Sequence, residues 1–264
     1  MDKPSTFLST PVAILLSSFI ISIAVLIHGG IIKIGGVTTT PTQTAALPAQ
    51  AQPAAPQAPK VTLDTIKALF TDKNLVSGNK NAKNLLVEVA DPSCPYCHIA
   101  GGHNPELNKQ VGTQFTLVAD GGTYIAPVPE MKKLVDSGKA AFVYIYSPGH
   151  GSGEMGAKAM YCANEKGKFW EVHDKLMTSE GYDMLNQTVK NDKTKSADLA
   201  NFLSGVFNSA DMKNCLESGK YDSKISEDTA TAAKLGVNGT PGFFINTTNF
   251  AGAYSWKDMS SAVQ

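Results

Sequence analysis

Two cysteines separated by a proline and a tyrosine, Cys94-Pro95-Tyr96-Cys97, are the residues of this 264-residue chain best suited to chemistry. A thiol becomes a nucleophile only as the thiolate. A cysteine at the start of a helix faces unpaired backbone N–H groups and the positive end of the helix dipole, which favour that form. Pro95 suits the first helical position, where its missing N–H costs nothing. Cys97, three residues on, stands about one helical turn away and can reach back to Cys94. The pair can therefore cycle between dithiol and disulfide, with Cys94 attacking or being attacked and Cys97 resolving the mixed disulfide.

Two other chemistries fit the same letters. Cys94 to His98 satisfies the C-x-x-C-H pattern of covalent haem attachment. Alternatively Cys94, Cys97 and His98 offer metal ligands, although no second C-x-x-C or histidine pair at zinc spacing accompanies them.

The element that must position this site is the apolar run 84–90, Asn-Leu-Leu-Val-Glu-Val-Ala, which predicts a strand feeding the reactive turn. Within it Glu88 lies six residues before Cys94. A carboxyl buried beneath the active-site helix would have its pKa raised by desolvation and could exchange protons with Cys97. An acid exposed on one strand face reads equally well. Asp91 reads as a turn residue before Pro92. Upstream, 62–70 carries apolar residues at helical spacing behind Thr62 as N-cap, and 74–83 reads as a polar loop.

Farther out, the chain has 23 basic and 23 acidic residues, and this balance gives no pointer to nucleic acid. Between Lys3 and Lys33 there is no Asp, Glu, Lys or Arg. We expect a short tail over 1–10 and an uncleaved transmembrane anchor over 11–34, since a bilayer crossing needs about 20 apolar residues, with a signal peptide that is removed as the alternative. The Thr/Pro/Ala/Gln-rich stretch 35–60 then serves as an extended spacer, whose uncharged run 37–59 is able to reach roughly 70 Å. The folded domain is expected at 61–264, outside the cytoplasm.

An apolar strand bearing an acid, followed by Asp91-Pro-Ser-Cys-Pro-Tyr-Cys97, resembles the DsbA-like thiol:disulfide oxidoreductases of the thioredoxin superfamily. The helical stretch 162–176 and the stretch 235–246, Leu-Gly-Val-Asn-Gly-Thr-Pro-Gly-Phe-Phe-Ile-Asn, are similar to the same family. The resemblance implies an α/β, thioredoxin-like fold with an inserted helical subdomain at 157–235. It also implies a cis peptide bond before Pro241, with Thr240 and Pro241 set against Cys94. There the Thr240 backbone could pair with an extended substrate, as strand addition does. The implied partners are reduced exported proteins and a membrane protein that reoxidises or reduces the dithiol, with no cofactor and no metal. A tethered peptide-binding module without turnover is the alternative from another class.

The chain departs from that family at 101–127, which reads as an insertion beside the active site. Gly101 and Gly102 interrupt the helix, Asn104-Pro105 starts another, and 115–126 predicts a β-hairpin. A helix from Pro129 stopped by Gly138 and a strand at 140–147 follow. Beyond them, 183–194 reads as a polar loop, 196–207, 209–218 and 222–235 as helices, 243–246 and 250–253 as strands, and 255–263 as a closing helix. Four cysteines allow three pairings. A redox-active Cys94 and Cys97 leaves Cys162 with Cys215, or else two buried free thiols. Phe169 and Trp170 read as core and His173 as a hydrogen-bonded or surface residue. His103 and His150 are expected near the active-site face, without an assigned partner.

Overall fold

The computed structural model describes residues 61–264. The expected anchor and spacer, 11–60, lie outside them. Among the described residues no helix is long and apolar enough to cross a membrane.

Helix α1 (Leu63–Lys67) begins at Thr62, whose hydroxyl accepts the Thr65 N–H as predicted. Five strands follow in one mixed sheet: β1 (Leu75–Gly78), β2 (Asn84–Ala90), β3 (Ala140–Tyr146), β4 (Gly242–Ile245) and β5 (Thr248–Ala251). Their order is β1-β3-β2-β4-β5, with β2 and β3 parallel and the other pairs antiparallel. The two central strands are buried along their whole length. That is why both read as nearly unbroken apolar runs instead of alternating ones.

Between β2 and β3 lie the helices α2 (Pro95–Gly101), α3 (Pro105–Val111) and α4 (Pro127–Asp136). A helical insertion between β3 and β4 contains α5 (Glu154–Asn164), α6 (Phe169–Leu176), α7 (Ser179–Asp183), α8 (Ser196–Phe202), α9 (Ser209–Ser218) and α10 (Asp222–Lys234). Helix α11 (Trp256–Met259) and a 3-10 turn end the chain. One sheet face, carrying Leu86, Ala90, Phe142, Tyr144 and Phe243, packs with the active-site helix and the insertion. The opposite face, carrying Leu85, Val87, Val89, Val143 and Phe244, packs against Ile66 of α1 and against Ala232 and Leu235 at the end of α10.

Four expectations are corrected. The polar loop 74–83 contains β1, because an edge position beside β3 satisfies its backbone despite its polar surroundings. No hairpin forms at 115–126. Two 3-10 turns, Thr113–Phe115 and Val118–Asp120, fold the segment, and only an isolated bridge joins Leu117 and Tyr124. The aromatic and apolar residues there pack onto Ile99 instead of pairing as strands. The 183–194 loop holds a π-helical turn, Met184–Val189, which buries Leu185 and Val189. The last strand sits two residues earlier than expected, after a tight turn in which Asn246 adopts a left-handed φ of 55°.

Candidate active site

Strand β2 ends at Ala90, and Asp91-Pro92-Ser93 turns the chain into α2 with Cys94 as its N-cap residue and Pro95 in the first turn. The turn is fixed from two sides. The Cys94 N–H donates to the Asp91 carbonyl (2.9 Å), and the N–H groups of Cys97 and His98 donate to the Cys94 carbonyl (3.1 Å each). Helix α2 ends at Gly102 in the left-handed conformation, φ 71°, where a Cβ would stand 2.6 Å from that of Ala126. A side chain there would push the inserted segment away from the helix.

Cys94 and Cys97 are unbridged, and their surroundings shift their acidities in opposite directions. The Cys94 thiol lies 3.4 Å from the Thr240 carbonyl, next to the cis Thr240-Pro241 bond. The Cys94 pKa is lowered to about 6, chiefly by the hydrogen bond from the Cys97 thiol, which outweighs partial burial. The N–H groups of Cys97 and Tyr96 add to this effect. Cys97 is fully buried, with its sulfur accepting the Asp91 N–H at 3.4 Å. Burial, with the neighbouring Cys94, pushes its thiol well above the ordinary range. At neutral pH the outer sulfur is therefore a thiolate and the inner one a thiol.

Glu88 is buried on the sheet face that carries Leu86 and Ala90, beside Tyr144 and Phe243 in register. Neither carboxyl oxygen has a hydrogen-bond partner, and burial, with Asp174 adding, pushes its pKa up to about 8. Of the two sequence readings, the structure has the buried one. Its charge bears on Cys97. Tyr96 is exposed, its ring edge-on to Phe115 of the inserted segment at 6.0 Å. Residues 239–242 line a cleft of about 300 Å³ together with Asn249, Ala251 and Gly252. Glu88, Cys94, Pro95, Tyr96, Cys97, Thr240 and Pro241 thus meet at one site. Cys162 and Cys215 lie elsewhere, bonded to each other between α5 and α9 with Cα atoms 6.0 Å apart.

Sequence reasoning undervalued Asp91. One carboxylate oxygen accepts from the Ser93 N–H and hydroxyl at 2.8 and 2.7 Å. The other accepts from the Gly149, His150 and Gly151 N–H groups at 2.8, 2.8 and 3.3 Å. The residue ties the reactive turn to the glycine-rich loop after β3. That loop also touches the cis-proline segment, since a Cβ on Gly149 would meet the Thr240 hydroxyl. His150 therefore enters the site through its backbone. His103 pairs with Asp174 at 3.3 Å, and buried His173 donates to the same carboxylate from Nδ1 at 2.9 Å. His98 is buried, with its two ring nitrogens 3.0 and 2.8 Å from the carbonyls of Met177 and Pro92. Burial outweighs those carbonyls and pushes it down to about 4. Among the described residues no three His, Cys, Asp or Glu side chains group as metal ligands.

Known proteins share this architecture. The chain is similar to BdbD from Bacillus subtilis, with 18% identity, TM-score 0.54, and 72% of this chain and 91% of that one covered. It is similar also to alpha-DsbA1 from Wolbachia pipientis, with 19% identity, TM-score 0.56 and coverage of 77% and 94%. In sequence it is 26% identical over 205 residues to Na(+)/H(+) antiporter NhaA 3 of Salinispora tropica, covering 76% of this chain and 26% of that protein. The chain spans about a quarter of the length of the curated relatives it matches. The family model described as thioredoxin matches residues 129–264, which hold Thr240 and Pro241 but begin after Cys97. That match extends over more than half of the chain, which therefore belongs to the thioredoxin family.

Proposed function

We propose that this chain is a thiol:disulfide oxidoreductase that forms disulfides in exported proteins through Cys94 and Cys97. The observation that carries the reading is the asymmetry of the pair: Cys94, at about 6, faces the Thr240 carbonyl, while Cys97 is sealed behind it. A substrate thiolate attacks the Cys94 sulfur of the disulfide, Cys97 leaves and takes a proton, and a second substrate thiol displaces Cys94. Two substrate thiols lose two electrons and become a disulfide. The enzyme ends with a thiolate at Cys94, a thiol at Cys97, and one proton released.

Glu88 is the acid and base for Cys97, giving a proton when that sulfur leaves and taking it back when it attacks. Thr240 aligns the extended substrate through its backbone, with Pro241 holding the loop. Pro95 and Tyr96 shape the helix start and its exposed rim. Anchoring by residues 11–34, action outside the cytoplasm and reoxidation by a membrane partner belong to this proposal. No antiporter activity is proposed, since the likeness reaches only a quarter of that relative. His98, buried between two carbonyls, argues against haem attachment.

Equilibration of the full chain with glutathione tests the reading, with Cys94→Ser as control. Known dithiols of this kind span roughly 150 mV. A potential near the oxidising end, together with an ultraviolet thiolate titration centred near 6, is the expected result. A strongly reducing potential would turn the assignment to a reductase or isomerase on the same residues.

A further inference from the structure

Two buried polar groups on the active-site face of the sheet have no partner, and they complement each other. Both oxygens of Glu88 are unpaired, and so is Nε2 of His173, a residue with no exposed surface. His173 reaches in from α6 against Tyr144, the register neighbour of Glu88, with ring centroids 6.4 Å apart. Phe169 and Trp170 close round the imidazole at 5.6 and 5.4 Å. Its Nδ1 donates to Asp174 Oδ1, so the neutral ring carries its proton there and presents a lone pair at Nε2. Protonated Glu88 has the one O–H that such a lone pair lacks.

The outer end of this line is open. Asp174 Oδ1 also meets Nε2 of His103, and the two side chains are 34% and 36% exposed. They line a cleft of about 220 Å³ with Val128, Pro129, Lys132 and Trp170. Hydrogen bonds from His103 and His173 overcome burial and hold the Asp174 carboxyl far below its usual range. The carboxylate thus joins the buried imidazole to the one at the cleft through a single oxygen.

We propose that His173, Asp174 and His103 connect the Glu88 carboxyl to solvent, so that the proton exchanged at Cys97 in each redox cycle enters and leaves by this line. The proposal rests on the assignment of Glu88 as the acid for Cys97. Before Cys97 attacks, protonated Glu88 passes its proton to His173 Nε2, and the carboxylate so formed takes the Cys97 proton as the sulfur attacks, ending protonated as it began. Nδ1 gives up its own proton to the Asp174–His103 pair, which delivers it to water in the cleft. When Cys97 leaves, one proton returns by the reverse steps and the ring regains its first tautomer. His173 and its partners are positioning and relay residues that touch no substrate.

Other groups near this line are Cys97 and His98 on α2, Tyr144 on β3, Asp91 at the end of β2 and Lys132 on α4. Burial holds the first of these as a thiol and Tyr144 as a phenol, and it keeps His98 neutral near pH 7. Asp91 is committed to the N–H groups of the loop after β3. The Lys132 ammonium lies over the Trp170 ring at 5.7 Å, on the cleft side.

The test is the reaction of the reduced full chain with an aromatic disulfide whose released thiolate is coloured. Attack by Cys94 gives the first release and attack by Cys97 the second. Asp174→Asn should slow the second release at least about five-fold and flatten its pH dependence, leaving the first release and the Cys94 thiolate titration unchanged. His103→Ala should slow the second release, and added imidazole should restore it. Glu88→Gln distinguishes the two levels of the argument. If it slows the second release while Asp174→Asn and His103→Ala do not, the relay is overturned and the acid stands. If Glu88→Gln has no effect, the role of the acid falls and the relay with it. Equal slowing of both releases in Asp174→Asn, or no restoration by imidazole in His103→Ala, also overturns the relay.

Discussion

Replacing Glu88 by Gln should change how stability depends on pH, with a sign the burial of the carboxyl dictates. Its pKa rises from 4.5 to about 8 on folding, with burial as the main cause and Asp174 second. An unfolded chain releases this proton near 4.5, whereas the folded one keeps it until about 8. Between those values the native state binds the extra proton, so stability falls as pH rises. The favourable contribution is fully present below the unfolded value and lost through the folded one. Each pH unit in that window is worth about 1.4 kcal/mol, which gives about 5 kcal/mol in all. Relaxation that admits water to the ionised carboxylate lowers this toward about 3 kcal/mol.

Glutamine has nearly the same shape and no charge, so the variant escapes the loss. Urea unfolding of both proteins from about pH 4 to about pH 9 gives the difference directly. Keeping both as the Cys94–Cys97 disulfide removes the titration of the thiols. The two should be close in stability at the acid end, with the glutamine variant ahead by about 3–5 kcal/mol at the alkaline end. A difference that stays constant with pH, or one favouring wild type at high pH, would refute the claim that Glu88 is buried and unpartnered.

Three further outcomes are expected. Asp91→Asn removes the anion facing the Ser93, Gly149, His150 and Gly151 N–H groups and should cost about 2–4 kcal/mol by chemical unfolding. Replacing Cys162 and Cys215 together by Ser opens a bridge with a sequence separation of 53 and should cost about 4 kcal/mol, with the glutathione equilibrium of Cys94 and Cys97 unmoved. Gly149→Ala places a Cβ against the Thr240 hydroxyl and should cost about 1–3 kcal/mol. It should also reduce kcat/KM for a peptide substrate while leaving the thiolate titration of Cys94 near its parent value.

Local chemistry made much of this molecule legible in its sequence. The apolar run 84–90 gives a strand with those very bounds, because a strand buried on both faces needs no alternation. Asn104-Pro105 and Thr62 begin helices through side chains that accept N–H groups of their own first turns. Non-local partners explain what was missed. The Leu75–Gly78 strand exists by virtue of an edge that β3 offers it from across the chain. The segment 115–126 had strand-like residues but no neighbouring strand to extend, so its Phe115 and Tyr124 became cover for α2. The Asp91 side chain reached residues 58–60 positions away, a distance over which the turn propensity of aspartate carries no information. The His103–Asp174–His173 cluster likewise joins the connection between α2 and α3 to the distant helix α6.

The thiolate at Cys94 alone sets a modest redox bias. With its pKa at about 6, ionisation near pH 7 stabilises the reduced form by about 1.4 kcal/mol relative to an unperturbed thiol, or about 30 mV for a two-electron couple. That is roughly a fifth of the 150 mV separating reducing from oxidising dithiols. A chain at the oxidising end must therefore disfavour its disulfide by other contacts as well. The Asp91 N–H on Cys97 is in position to do so, a contact that the Cys94 pKa does not already include and one made to a sulfur that loses its proton when the bond closes.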